Sequence, residues 1–234
     1  SLFNPIIMAN VIKLRKGLDV NLKGKAAKEE FQVKKPAVYA LMPDDFTGMK
    51  PKVVVKENDV VKVGDSLFVD KNHPEIKFVS PVSGRVTMVE RGDRRKVLSV
   101  RVEADAEQQY VDFGKKNVGQ MTAQEVKNLL LESGLFGFFR QRPYDVTANP
   151  SDTPKAIFVS AFNSMPLAAD FEYVLRGREA DFQAGLDALA KMAKTYLGVS
   201  SKQTATALTA AKNVEINFFD GPAPAGNVGV QINH

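Results

Sequence analysis

The stretch Gly134-Leu135-Phe136-Gly137-Phe138-Phe139-Arg140-Gln141-Arg142-Pro143 combines glycines with cations, as a phosphate-binding loop does. Such loops are rich in glycine because their backbone N–H groups must stand bare toward the anion. Here Phe136, Phe138 and Phe139 crowd the glycines. The loop is either no phosphate seat at all or one that has been filled in. A second stretch, Asp220-Gly221-Pro222-Ala223-Pro224-Ala225-Gly226, reads as a binding loop or, at this density of Gly and Pro, as a rigid turn. Other chemistry is scarcer. Cys is absent, which removes disulfides, cysteine-ligated zinc, iron–sulfur clusters and thiol nucleophiles from this chain. With only His73 and His234, a histidine metal site or a serine triad would rest on a single imidazole, and His73 beside Pro74 reads as a loop residue.

Positioning these loops falls to a chain of 234 residues, long enough for one large domain or two ordinary ones. No apolar run approaches the roughly 18 residues that a membrane helix needs. The net charge of +5 is concentrated near the start. Lys13, Arg15, Lys16, Lys23, Lys25, Lys28, Lys34 and Lys35 face only Asp19, Glu29 and Glu30, and the rest of the chain is balanced. Residues 1–35 therefore form a basic N-terminal segment. It could meet nucleic acid, an acidic partner or anionic head groups, or be a solvated arm. Met8 looks like a natural start, with the first seven residues as upstream or appended sequence.

Residues 36–103 read as short strands broken by turns: Val53–Val55, Val60–Val63, Ser66–Val69, Lys77–Val79, Arg85–Val89 and Val97–Val102. The Gly64-Asp65 and Gly92-Asp93 turns sit at like places in two similar halves, which predicts a small β-sandwich. Residues 104–121 form a polar connector with an extended piece near Tyr110-Val111. Thr122-x-x-Glu125 opens a helix with a capping box, Val126, Leu129 and Leu130 give its apolar stripe, and Gly134 stops it. Ala156–Ser160 reads as a buried parallel strand ending at Asn163, at the carboxyl edge where α/β sheets place their sites. A second helix is expected over Glu179–Leu197, stopped by Gly198, and a strand over Val214–Phe218. Helix, strand, helix, strand makes residues 122–234 a Rossmann-like α/β domain. The end at His234 falls inside sequence that still reads as structured, so a fragment of a longer protein is expected.

Val-x-x-Gly-Asp at Val61–Asp65, Asp70-Lys71 and Ser80-Pro81-x-x-Gly84-x-Val86 resemble the lipoyl/biotinyl barrel-sandwich family. In carriers of that family the matching lysine, here Lys71, takes the lipoyl group. The connection through Asn72, His73 and Pro74 is longer than a tight modification hairpin, and no Met-Lys-Met environment is present. A non-carrier domain on the same sandwich is the better reading.

In the second half, Ser133-Gly134-Leu135-x-Gly137, the strand into Asn163 and Asp181-Phe182-x-x-Gly185-Leu186 resemble the flavin- and NADH-binding subunit of respiratory complex I. Three segments together, "VIKLRKGLDVNLKGKA", "FVSAFNSMPLAADFEYVL" and "GPAPAGNVGVQIN", more closely resemble the A subunit of the sodium-translocating NADH:quinone oxidoreductases. The C subunit of Rnf electron-transport complexes shares the Gly-Pro-x-Pro-Ala-Gly element. The resemblance implies a peripheral subunit at the cytoplasmic face of the bacterial inner membrane. Its complex uses NADH, flavins, iron–sulfur centres and quinone and exports Na⁺. It also implies other subunits as partners, no nucleic acid, and no cofactor held by this chain.

Phe136, Phe138, Phe139 and Arg140 stand where the complex I pattern has Arg, Arg, Gly and Gly, and Ala161-Phe162-Asn163 replaces its acidic run. Bulky side chains would occupy a flavin phosphate seat, and the carboxylates that would hold ribose hydroxyls are gone. Phe136, Phe138, Phe139, Phe162, Asn163 and Met165 could line an apolar slot for a quinone ring, with Arg140 or Arg142 polarising a carbonyl oxygen. The plainer reading has the aromatics as core and the arginines paired to local carboxylates. Tyr39 and Asp44-Asp45 have no partner visible in sequence, and a Na⁺ site needs several converging oxygens, which one sequence does not show. The alternative to a quinone-binding or scaffolding subunit is a non-catalytic interaction module on a degenerate nucleotide fold, or an Rnf-type subunit.

Overall fold

The computed structural model describes residues 10–234, so the expected start at Met8 lies outside the described residues. In chain order the first elements are β1 (Val11–Lys13), β2 (Val38–Leu41), β3 (Pro51–Val53), β4 (Val60–Val61), β5 (Ser66–Asp70), β6 (Lys77–Val79), β7 (Gly84–Arg91) and β8 (Val97–Ala104). Then come α1 (Ala123–Glu132), β9 (Arg140–Gln141), β10 (Val146–Thr147), β11 (Ile157–Ala161), α2 (Phe171–Leu175) and α3 (Glu179–Met192). The last are β12 (Thr195–Ser200), α4 (Thr206–Thr209), β13 (Glu215–Asp220) and α5 (Val228–Asn233).

These elements fall into two compact units. The sandwich unit comprises Gln32–Asn117 and Met121–Thr153. The α/β unit comprises Pro154–His234, Val118–Gln120 and the described residues up to Phe31.

In the sandwich unit β2-β8-β7-β4 make one sheet and β3-β5-β6 another, with antiparallel pairing throughout. Alternating β-branched and aromatic residues send Leu67, Phe68, Phe78, Val86, Val100 and Val102 into a core where none is more than 2% exposed. The expected strand at Val53–Val55 lies two residues earlier, and the one at Val60–Val63 is cut to Val60–Val61. Val63 instead bridges to Tyr110, which accounts for the extended piece expected in the connector. Helix α1 has the predicted reciprocal cap: Glu125 N donates to Thr122 Oγ1 at 3.2 Å and Thr122 N to Glu125 Oε2 at 2.8 Å.

The α/β unit is built on a parallel sheet in the order β1-β13-β12-β11. Against one face Leu186 of α3 packs with Leu197, Val199 and Leu208. Together the units give the fold expected, a barrel-sandwich β domain followed by an α/β domain. Three local expectations differ. Helix α3 ends at Met192, not Leu197, and Thr195–Ser200 is strand β12, paired on both sides. Ala193, Tyr196 and Leu197 continue the helical spacing of Leu186 and Leu189 past the helix end, so they mimic a helical stripe. Gly198 is no helix stop; a Cβ there would lie 2.5 Å from Gln231 Oε1. The strand beginning near Ala156 sits at the sheet edge, with Phe158 40% exposed. Finally, the basic segment is more than a solvated arm, because Val11–Lys13 pairs in parallel with Phe218–Asp220.

Candidate functional site

The crowded loop follows α1 in the sandwich unit. Gly134 turns the chain at φ +78°, where a Cβ would lie 2.6 Å from Val79 Cγ1. At Gly137 a Cβ would lie 2.6 Å from Phe78 Cε1. Both positions need glycine because strand β6 presses against them, not because an anion needs access. Four of the loop's donors are also occupied. Gly134 N and Leu135 N donate back to Leu131 O and Leu130 O, Phe138 N to Leu135 O and Phe139 N to Phe136 O. N–H groups closed into turns are not available to cradle a phosphate.

The phenylalanines divide by burial. Phe136 is 4% exposed and its ring lies 5.4 Å from that of Phe139. Phe138 is 70% exposed, with an edge contact to Phe46 at 5.6 Å. Phe46 meets Phe78 at 4.4 Å, and Phe78 stacks on Phe68 at 5.1 Å. An unbroken aromatic path thus runs from the sandwich core to one exposed ring.

Arg140 and Arg142 converge on one acid. Arg140 Nη1 donates to Thr47 Oγ1 at 3.2 Å and to Asp145 O at 3.3 Å, and lies 3.7 Å from Asp145 Oδ2. Arg142 Nη2 lies 3.7 Å from Asp145 Oδ1, an oxygen shielded from water that makes no hydrogen bond. Half-exposed pairs at this separation hold weakly, at about 0–1 kcal/mol each. A ligand carbonyl would have to compete with Asp145 for either guanidinium.

In the α/β unit the parallel strands end together at Lys13, Asp220, Ser200 and Ala161. Ligands bind at this edge in such sheets. Here chain fills it. Leu14 N donates to Asp220 O at 2.8 Å, Leu18 N to Ala223 O at 3.1 Å, and Ala223 N to Asp19 Oδ1 at 2.8 Å. The Gly221–Gly226 turn therefore holds an internal carboxylate where an external anion would sit. Gly226 N donates to Ser164 Oγ at 3.0 Å, and a Cβ on Gly226 would collide with Ser164 N. Leu14, Phe219 and Ala225 form a buried cluster against which Phe162 packs. Asn163 Oδ1 accepts from Met165 N at 2.9 Å, and Met165 is 62% exposed.

The eight residues expected to line a quinone slot thus fall into two groups. Phe136, Phe138, Phe139, Arg140 and Arg142 come together in the sandwich unit; Phe162, Asn163 and Met165 come together in the α/β unit. Sequence reading missed their partners. Thr47 and Phe46 lie far from the loop in sequence, and Asp19 lies 204 positions from Ala223. Asp145 carries a local signal, an acid close to two arginines.

A cavity of about 270 Å³ also opens in the α/β unit, lined by Phe158, Tyr196, Asn217 and Gln231 among others. Phe158 and Tyr196 stack at 5.0 Å. Lys194 sits 4.8 Å from the Tyr196 ring and 2.9 Å from Glu215 Oε2, and these contacts, Tyr196 first, hold it above the ordinary lysine value. Among the described residues no cluster of three or more His, Asp or Glu could hold a metal ion.

Residues 12–105 match the family model of the NqrA N-terminal barrel-sandwich hybrid domain, and residues 121–234 that of the NqrA second alpha/beta domain. The chain is 35% identical over 229 residues to the A subunit of the Na(+)-translocating NADH-quinone reductase of Yersinia pseudotuberculosis serotype O:1b (strain IP 31758). It is 34% identical over 229 residues to that of Actinobacillus pleuropneumoniae serotype 5b (strain L20), and 33% over 226 residues to that of Pseudomonas aeruginosa (strain UCBPP-PA14). Each alignment covers 95% of this chain and 50% or 51% of the relative. The chain spans about half the length of the curated relatives it matches.

Proposed function

The chain belongs to the NqrA family, the A subunits of the Na(+)-translocating NADH-quinone reductases, and from that premise we propose that it is a peripheral, scaffolding part of such a complex. The complex couples electron transfer from NADH to quinone with Na⁺ export. In this reading the other subunits are its partners, it lies at the cytoplasmic face of the bacterial inner membrane, and it holds no flavin of its own. Among the described residues no helix is long and apolar enough to cross a membrane.

One observation carries the reading: both glycines of the flavin-like loop serve close packing on Val79 and Phe78, with the neighbouring N–H groups closed into turns. Scaffolding is favoured over a formed quinone slot because Arg140 and Arg142 already face Asp145 and Phe162 packs into the core. The quinone contact that remains open is at Phe138, an exposed ring beside Arg140.

Titrating a short-chain quinone while following NMR shifts at Phe138 and Phe162 tests this directly. Scaffolding predicts no saturable shift. Saturable shifts at Phe138 that disappear in Arg140→Ala would move the reading to quinone binding. Stoichiometric quenching of FMN fluorescence by the chain would overturn the absence of a flavin.

A further inference from the structure

Every residue from Arg15 to Lys35 is exposed. Within this stretch Leu18 is 86% exposed, Val20 62%, Leu22 54% and Phe31 80%. Large apolar side chains left in water at this density mark a contact surface. They are interleaved with Arg15, Lys16, Lys23, Lys25 and Lys28, against which stand Asp19, Glu29 and Glu30, a net charge of +2 over residues 15–31. Lys28 pairs with Asp170 at 2.7 Å, and Asp19 is held by Ala223 N, so the stretch is tied to the α/β unit at two points. Arg15, Lys16, Lys23 and Lys25 enter no ion pair with the described residues.

Charge complementarity indicates what covers it. A stretch of net positive charge that mixes cations with bulky apolar groups suits a surface that is negative outside and apolar just beneath, which is an anionic bilayer. A folded protein partner would call for a shape to match, and between Leu14 and Ala37 the chain has no helix or strand. A fluid surface calls for none. We propose that residues 15–31 dock on an anionic lipid surface. Leu18, Val20, Leu22 and Phe31 enter the head-group boundary while Arg15, Lys16, Lys23 and Lys25 face the lipid anions. This docking is independent of the scaffolding role, since a subunit can be held in a complex by protein contacts alone.

Co-sedimentation of the 234-residue chain with phosphatidylcholine vesicles, with and without phosphatidylserine, tests it. Binding should be about tenfold or more tighter to the anionic vesicles and should weaken with added salt. Lys23→Glu/Lys25→Glu and, separately, Leu18→Ser/Phe31→Ser should each weaken it about tenfold with an unchanged circular dichroism spectrum. Equal binding to both vesicle types overturns the proposal. Binding to poly-L-glutamate as tight as to anionic vesicles also overturns it, in favour of an acidic protein. Binding unaffected by Leu18→Ser/Phe31→Ser overturns the entry of the apolar side chains.

Discussion

The glycine loop of the sandwich unit is closed by its own turns and by strand β6, whereas the Gly221–Gly226 turn of the α/β unit is closed by chain about 200 positions away. In the first, Phe136, Phe138 and Phe139 stand among the glycines, and Phe78 and Val79 press against Gly137 and Gly134. In the second, the glycines stay and the backbone around Leu14, Leu18 and Asp19 moves in. Both routes leave no bare row of N–H groups. They differ in balance: the first rests on large aromatic packing, the second on a few hydrogen bonds, one carboxylate and the small Leu14–Phe219–Ala225 cluster. Substitutions in the first should therefore cost much more than in the second.

Phe136→Ala tests the packed loop at its centre. Removing a ring that is 4% exposed should lower unfolding free energy by about 3–5 kcal/mol in urea titrations. A loss under about 1 kcal/mol would mean that the loop is not part of the core. Gly226→Ala tests the other loop at its tightest point, where a Cβ meets Ser164 N. About 1–3 kcal/mol is expected, with amide-exchange changes confined to residues near Asn163 and Ala223. Asp19→Ala should cost about 1 kcal/mol and speed exchange at the Ala223 amide while leaving Phe138 and Phe139 unchanged. Equal costs for Phe136→Ala and Asp19→Ala would erase the contrast between the two closures.

The smallest effect concerns pH. Glu90 is held below the ordinary glutamate value by the Ser99 hydroxyl at 2.8 Å and by Arg101 at 2.7 Å. Because the folded form has the lower value, its contribution is complete above the ordinary value of 4.5 and is lost as pH falls below it. Glu90→Gln should lower the melting temperature slightly at neutral pH, where the contribution is complete, and converge with the parent chain in acid, which flattens the acid limb of the profile.

What could be read from sequence follows the same division between near and far. The capping box at Thr122, the stop at Gly134 and the Gly64-Asp65 and Gly92-Asp93 turns are signals a few residues long, and they placed α1 and most of the sandwich strands. Strand β12 was misread because Ala193, Tyr196 and Leu197 fall at the spacing that continues the apolar stripe of α3. The crowding of the first loop was visible in the residue types themselves. That Phe78, Val79 and Phe46 do the crowding was not, since those contacts close over tens of residues. The filling of the second loop by Leu14 and Asp19 left no mark in either local pattern.

Strand β1 carries a consequence for how the chain is made. A ribosome releases Val11–Lys13 early, but their partners Phe218–Asp220 emerge roughly 200 residues later. During that interval the strand has no sheet to join, and the elements of the sandwich unit leave the exit tunnel in the meantime. The order of synthesis thus favours a sandwich that forms first, with strand β1 waiting to be zipped onto the edge of a sheet whose other strands emerge only after the sandwich.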